Sequence, residues 1–563
     1  MRARTVLQVL PLFALPVAVL VACAADKRGF GDEQQDGGVD PTVFGDAGLD
    51  SSAKPGIGGR DPISCDEAAQ FKTYVGCDYW PTVTDNLVQD VFDFAVAVAN
   101  GGGDPANVTV TGPNGVNKSV TVAPGSIGKV FLPWVAPLKT PSGTSTPKLT
   151  SMVASKSAYH LVSDRPVVVY QFNPLEFRAT GGEAGKDWSG CKIPAGSSAT
   201  ECYSYSNDAS LLLPSTAMTG NYRIMGSAGW SRHPINIITG GFDKTQPLQP
   251  LLPPSFAVTG TVDGTNVTVK LPGNGAVVAG TGITATSGGG TLSFTLGAGD
   301  VAQIVGNNGQ DNDFSGALLV ADKPVQVITS VMCVYYPLDV QACDHVEETV
   351  FPAETLGKHY VVMRPAGPKA NDVGHVVRFF GNVDGTKLTY APSAPAGCPA
   401  FLNAGQVSDC GEVTSDFEVS GDKEFGVATF QLGGEKADPD YKPGVPMQPQ
   451  GDPSQSFAVT VEQYRKSYVF LAPTDYKTSY VDVVAPSNAT ITLDGKDVSS
   501  SLKPLTGTSW LGAHIKLDAG KDGSHTLDAT EPVGIQVIGY GDNTSYQYPG
   551  GLNLSAISAA PVK

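Results

Sequence analysis

Asp344-His345-Val346-Glu347-Glu348 is the densest run of reactive side chains in the sequence. An imidazole beside carboxylates is the composition that binds a metal or exchanges protons. If the run is a strand, its period of two puts His345 and Glu347 on one face. A catalytic metal centre needs about three protein ligands in fixed geometry, and charged residues next to a disulfide, as these would be next to Cys343, commonly solvate a loop. No catalytic residue is assigned on this basis. A second candidate is the loop Asn307-Asn308-Gly309-Gln310-Asp311-Asn312-Asp313, whose oxygen ligands and glycine suit Ca²⁺, with Asp311 and Asp313 as the candidate metal ligands. It lacks EF-hand spacing and the closing glutamate, and Asn, Asp and Gly are also ordinary turn formers. Beyond this calcium no cofactor is expected. Tyr79, Trp80, Trp134, Trp188 and Trp230 offer stacking surfaces for sugars, although aromatics in β-sandwiches more often pack the core. No Gly-x-Ser-x-Gly elbow, His-Glu-x-x-His helix or Walker loop occurs.

The scaffold that must hold these groups is all-β. Sixty-six glycines and 42 prolines punctuate the chain, and no long segment keeps a 3.6-residue period. A charged turn leading into an alternating apolar strand recurs at Asp164-Arg165-Pro166-Val167, Asp322-Lys323-Pro324-Val325, Asp422-Lys423-Glu424-Phe425 and Thr530-Glu531-Pro532-Val533. Each is preceded by a short alternating strand, at Asn107–Val110, Asn266–Val269, Lys387–Tyr390 and Ala489–Leu493. Between the two lies a small-residue corner, at Ala123-Pro124-Gly125, Ala298-Gly299, Ala404-Gly405 and Ala519-Gly520. Three markers in one order, four times over, define a repeat. Because a missing N–H is tolerated at a strand's first residue, Pro166, Pro324 and Pro532 are expected to begin the last strand of each unit. The expected architecture is tandem β-sandwich modules with Gly/Pro-rich turns at 61–180, 205–340, 345–440 and 455–550, followed by a tail at 551–563. The alternative is a β-propeller-like arrangement of the same repeats.

Ahead of the modules, Arg2 and Arg4, an apolar run from Val6 to Val21 and Leu20-Val21-Ala22-Cys23 form the layout of a bacterial lipoprotein signal peptide, 1–22, with Cys23 as the lipidated residue. Residues 23–60 are rich in Gly, Asp and small polar residues and read as a flexible tether. Ala24 is compatible with outer-membrane sorting, so the expected location is the outer membrane, lipid-anchored and surface-exposed. The net charge of -17 argues against nucleic acid and against docking on anionic membrane. Eight further cysteines, Cys65, Cys77, Cys191, Cys202, Cys333, Cys343, Cys398 and Cys410, fall into four close pairs separated by 12, 11, 10 and 12 residues. On the order of 100 connectivities are possible for eight cysteines, and the short spacings favour neighbour bridges in an oxidising compartment.

Ser206-Asn207-Asp208-Ala209-Ser210-Leu211-Leu212-Leu213-Pro214, Phe314-Ser315-Gly316-Ala317-Leu318-Leu319-Val320, and Cys343-Asp344-His345 with Glu347 and Gly357-Lys358-His359-Tyr360 downstream resemble the N-terminal domain family of IgGFc-binding proteins over about residues 65–550. Gly76-Cys77-Asp78-Tyr79-Trp80-Pro81-Thr82 is similar to the start of bacterial lipoproteins carrying this domain. The resemblance implies an extracellular binding or adhesive role without catalysis, and carries over no binding residue. The expected function is a non-enzymatic cell-surface lipoprotein that binds a glycan, mucin-like or protein partner in adhesion. The alternatives are an extracellular polysaccharide hydrolase, whose paired carboxylates leave no sequence motif, and a structural envelope protein. Each bridge is worth about 2–3 kcal/mol by loop closure, so reduction is expected to lower the melting temperature. An unchanged melting temperature with fully reduced thiols defeats the staple assignment.

Overall fold

Alternating segments become half-buried strands and continuous apolar runs become fully buried ones, which sorts the strands into outer and inner sheets. The computed structural model describes residues 61–140, 149–193, 201–236, 240–442, 448–520, 522–554 and 556–557. The signal at 1–22, Cys23, the tether at 23–60 and most of the tail lie outside the described residues. Outer strands such as Ala106–Gly112 and Thr265–Lys270 alternate buried and exposed residues, whereas Phe94–Asn100, Ser255–Gly260 and His375–Gly381 are buried throughout. The latter need apolar or paired side chains on both faces. No helix among the described residues is long and apolar enough to cross a membrane.

Four inner sheets share one antiparallel strand order. In the first unit it is Ser126–Leu132, Phe94–Asn100, the second half of His160–Phe172, then Ala209–Leu211. The second unit repeats it with Val301–Val305, Ser255–Gly260, Val325–Val334 and Asp344–Thr349. The third uses Val407–Val413, His375–Gly381, Phe425–Gln431 and Gln455–Phe457. The fourth uses Trp510–Lys516, Thr478–Pro486, the second half of Ser524–Gly541 and Thr544–Pro549. The last strand named in each sheet is axial. Ala209–Leu211 and Gln455–Phe457 each neighbour both Asp344–Thr349 and Thr544–Pro549, closing a four-bladed, propeller-like ring. Two-sheet units and a propeller-like ring thus describe one molecule at two scales. The ranges drawn at 205, 345 and 455 begin close to axial strands, yet each of those strands hydrogen-bonds to the long strand of the preceding unit. Met152–Ala154, from the first unit, extends the far edge of the second inner sheet. Pro55–Lys563 accordingly forms one compact unit.

The sequence markers have local physical causes. Asp164 accepts from the Asn107 amide N–H at 2.7 Å and from Asn107 Nδ2 at 2.8 Å, and Asp322 does the same with Asn266 at 2.8 Å each. Asp422 takes the Lys387 N–H, and Thr530 substitutes for aspartate at Thr490. The charged turn and the preceding strand are therefore two halves of one contact. Gly125, Gly299, Gly405 and Gly520 all have positive φ, between 49° and 80°, which explains the small-residue corner. Pro324 lies just before its strand as expected, but Pro166 and Pro532 sit inside the continuous strands His160–Phe172 and Ser524–Gly541. There the strand changes sheets. Pairing with Ala106–Gly112 ends at Ser163 and pairing with Phe94–Asn100 begins at Val168, so the proline removes no ladder bond between these strands.

Each corner is clamped by a tyrosine. Tyr79, Tyr222, Tyr360 and Tyr468, on edge strands of the outer sheets, donate to the carbonyls of Val167, Val325, Phe425 and Val533 at 2.6, 2.7, 2.7 and 2.5 Å. All four are essentially buried. Tyr79 is therefore a clamp rather than a sugar platform. The disulfides are the neighbour pairs Cys65–Cys77, Cys191–Cys202, Cys333–Cys343 and Cys398–Cys410. Tyr222→Phe, which strips a buried carbonyl of its donor, is expected to cost about 1–3 kcal/mol in urea unfolding. A midpoint equal to wild type would show the clamp to be idle.

Candidate functional site

Axial strands are the inner edges of their sheets, and their free N–H groups face a region without solvent. Buried carboxylates meet that demand. Asp208 accepts from the N–H groups of Ala209, Glu347 and Gln455 at 2.9, 3.0 and 3.1 Å, linking the first three blades. Asp344 accepts from Asn207 N at 3.0 Å, His345 N at 2.8 Å and Thr544 Oγ1 at 2.8 Å, linking the second to the first and fourth. Glu348 accepts from Thr349 N at 3.0 Å. Burial pushes the carboxyls of Asp208, Asp344 and Glu348 well above the usual range; their hydrogen-bond donors oppose it without prevailing.

His345 and Glu347 do share a face, with Nε2 3.4 Å from Oε2. Both are 0 % exposed, enclosed by Thr84, Gln171 and Asn173. Gln171 Nε2 donates to Glu347 Oε1 at 2.9 Å, and Asn173 Nδ2 to Oε2 at 3.2 Å. The candidate cluster is thus part of the ring's internal bonding. In the sequence Asn207 and Asp208 stand out only as part of the Ser206–Pro214 run. Their common signal is positional: Asp208, Asp344, Asp452 and Asp542 each stand at or just before an axial strand.

The calcium loop and one of the tryptophans come together elsewhere, in a groove of about 450 Å³ near the second and third inner sheets. Trp230, Tyr335, Gln310, Asp311, Arg378 and Asp409 line it. The Cys333–Cys343 bridge closes the loop that carries Tyr335 and Leu338, the latter 39 % exposed. Tyr335 packs edge-on to Trp230 with centroids 4.9 Å apart, and Phe242 packs edge-on to Tyr335 at 5.8 Å. Asp339 holds the same loop by accepting from the His233 N–H at 2.9 Å. Arg378 forms part of the groove's lining, bonded to both Asp409 oxygens at 2.6 and 2.9 Å and to Asp313 Oδ2 at 2.8 Å. Asp313 Oδ1 accepts from Ser315 N. The guanidinium thus supplies a positive charge at Asp313, one of the two expected calcium ligands, while Asp311 is exposed on the lip. Trp80 stacks on His160 at 4.1 Å, Trp134 lies against Phe94 and Trp188 under Lys186 Nζ, so these three form no common platform. Among the described residues, Asp494, Asp518 and His525 also bring ligand atoms within 4.8 Å of one another.

Asp85, beside Gln303 of the second inner sheet, accepts from Thr140 N at 2.9 Å and Thr140 Oγ1 at 2.6 Å, yet burial pushes its carboxyl up to about 6. Protonation then favours the folded state. Its contribution is complete below the unfolded value of 3.8 and is lost as pH rises through about 6. Between those limits wild type is expected to lose about 3 kcal/mol relative to Asp85→Asn. Parallel stability–pH curves for the two proteins would contradict it.

No curated protein matches the chain. Among solved structures, a tetra-tandem repeat in the extending region of a large adhesion protein aligns over 85 % of this chain and 100 % of that one at 11 % identity, with a TM-score of 0.08. That likeness is too slight to bear on the fold. The family model described as IgGFc binding protein matches residues 208–539. The match starts at the axial carboxylate Asp208, spans the second, third and most of the fourth units, and covers more than half of the sequence, so the chain belongs to the IgGFc binding protein family.

Proposed function

We propose that this chain is a lipid-anchored, surface-exposed outer-membrane protein of bacterial type that binds a glycan or the glycan of a mucin-like partner, in adhesion. Membership of a binding family supports a non-enzymatic role in general. The observation that carries the glycan reading is the Trp230–Tyr335 ledge, edged by Gln310, Asp311 and Asp409. Aromatic faces stack on the C–H faces of sugar rings, and planar carboxylate and amide groups take up their hydroxyls. A disulfide at the base of the ledge loop limits the ordering cost of binding. Asp344, Glu347 and Glu348 are 0 % exposed, so a polysaccharide has no access to them.

The anchor reading rests on Leu20-Val21-Ala22-Cys23, and Cys23→Ser is expected to abolish metabolic palmitate labelling. For the ligand, the protein is passed over immobilised glycans, mucin and IgG Fc. Saturable binding to glycan or mucin is expected, weakened about tenfold or more by Tyr335→Ala. Glycan binding untouched by that change places the surface elsewhere; binding to Fc alone replaces the glycan reading with a protein one.

A further inference from the structure

Each axial strand has an aspartate at or just before it, and three of the four are matched. Asp208 and Asp344 take backbone N–H groups, and Asp542 pairs with Lys477. Asp452 is different. It is 0 % exposed, and neither carboxylate oxygen has a hydrogen-bond partner among the described residues. Ser454 Oγ, two residues on and equally buried, has none either. Ser545 ties this segment to a second carboxylate: its Oγ donates to the Asp452 carbonyl and its N–H approaches Asp344 Oδ2 at 3.4 Å. The charges that act on Asp452 come from Asp344 and Glu435, and with burial they push its carboxyl well up. No lysine or arginine is among them.

We propose that a hard divalent cation of the calcium class is held at the ring axis between Asp452 and Asp344, with Ser454 supplying a further oxygen. An unpaired carboxylate in so dry a place costs several kcal/mol, and a cation offsets that cost. All the unpartnered atoms named are oxygens, which select calcium over softer metals and suit its six to eight ligands at about 2.3–2.6 Å. The ion ties the segment entering the third axial strand to the second, beside the fourth. This site is distinct from the Asp311–Asp313 loop and does not depend on the glycan reading.

The test measures bound calcium by elemental analysis, Tb³⁺ luminescence and thermal melting at pH 7.5, with and without chelator. About one ion per chain is expected, with a lower melting temperature after chelation. Asp452→Asn should lose the ion and the chelator effect, whereas Asp311→Asn and Asp518→Asn should keep both. If Asp452→Asn fails to fold, stoichiometry and the chelator shift in the wild type, with the two control variants, still decide. Absence of bound calcium overturns the proposal. So does a calcium-independent melting temperature that falls as pH rises, since the carboxyl is then neutralised by a proton. Loss of the ion in either control variant places it elsewhere and overturns the proposal too.

Discussion

Four sheet edges converge on one line, and their backbone N–H groups have to be satisfied without water. Everything else in the molecule is arranged around that demand. Ordinary sheets leave such edges to solvent or cover them with a loop. Here the edges face one another, and the acceptors come from carboxylates on neighbouring strands, above all Asp208 and Asp344. Each carboxylate reaches across to a different blade. A shift of one blade would therefore break bonds in two others, which makes the ring a single structural object despite its repeated parts.

Away from the axis the repeat is held by contacts that tolerate sequence drift. The clamp needs a tyrosine hydroxyl and a backbone carbonyl, so the carbonyl's residue is Val in three units and Phe in the third. The corner contact needs an acceptor that reaches an N–H, so aspartate serves in three units and Thr530 in the fourth. Side chains between these points vary freely in type if they keep the two-residue alternation that buries one face.

This division explains what was legible in the sequence. Turn chemistry, strand period, positive-φ glycines and cysteine spacing act over a few residues, and they disclosed the all-β class, the fourfold repeat and the disulfide pairs. The ring was less legible because Ala209–Leu211, Gln455–Phe457 and their neighbours are short, and their partners lie tens to hundreds of residues away. Asp344-His345-Val346-Glu347-Glu348 looked like chemistry because sequence displays residue type and hides enclosure; its alternation was right and its solvent access was not. Asp452 sits in a plain Asp-Pro-Ser-Gln run, and only its surroundings distinguish it. The groove is half visible: Trp230 and Asp311 are each conspicuous by residue type, and nothing local ties them to Arg378 or Tyr335.

The offset between repeat and blade, in which a later segment completes an earlier inner sheet, sets the order of events as the chain emerges during synthesis. A growing chain always ends in an unfinished sheet, because the first blade waits for Ala209–Leu211, the second for Asp344–Thr349 and the third for Gln455–Phe457. Only when Thr544–Pro549 settles beside Ala209–Leu211 does the last edge disappear. Such a molecule cannot be assembled by adding finished domains like beads. Any recombination that respects the repeat boundary cuts through a sheet.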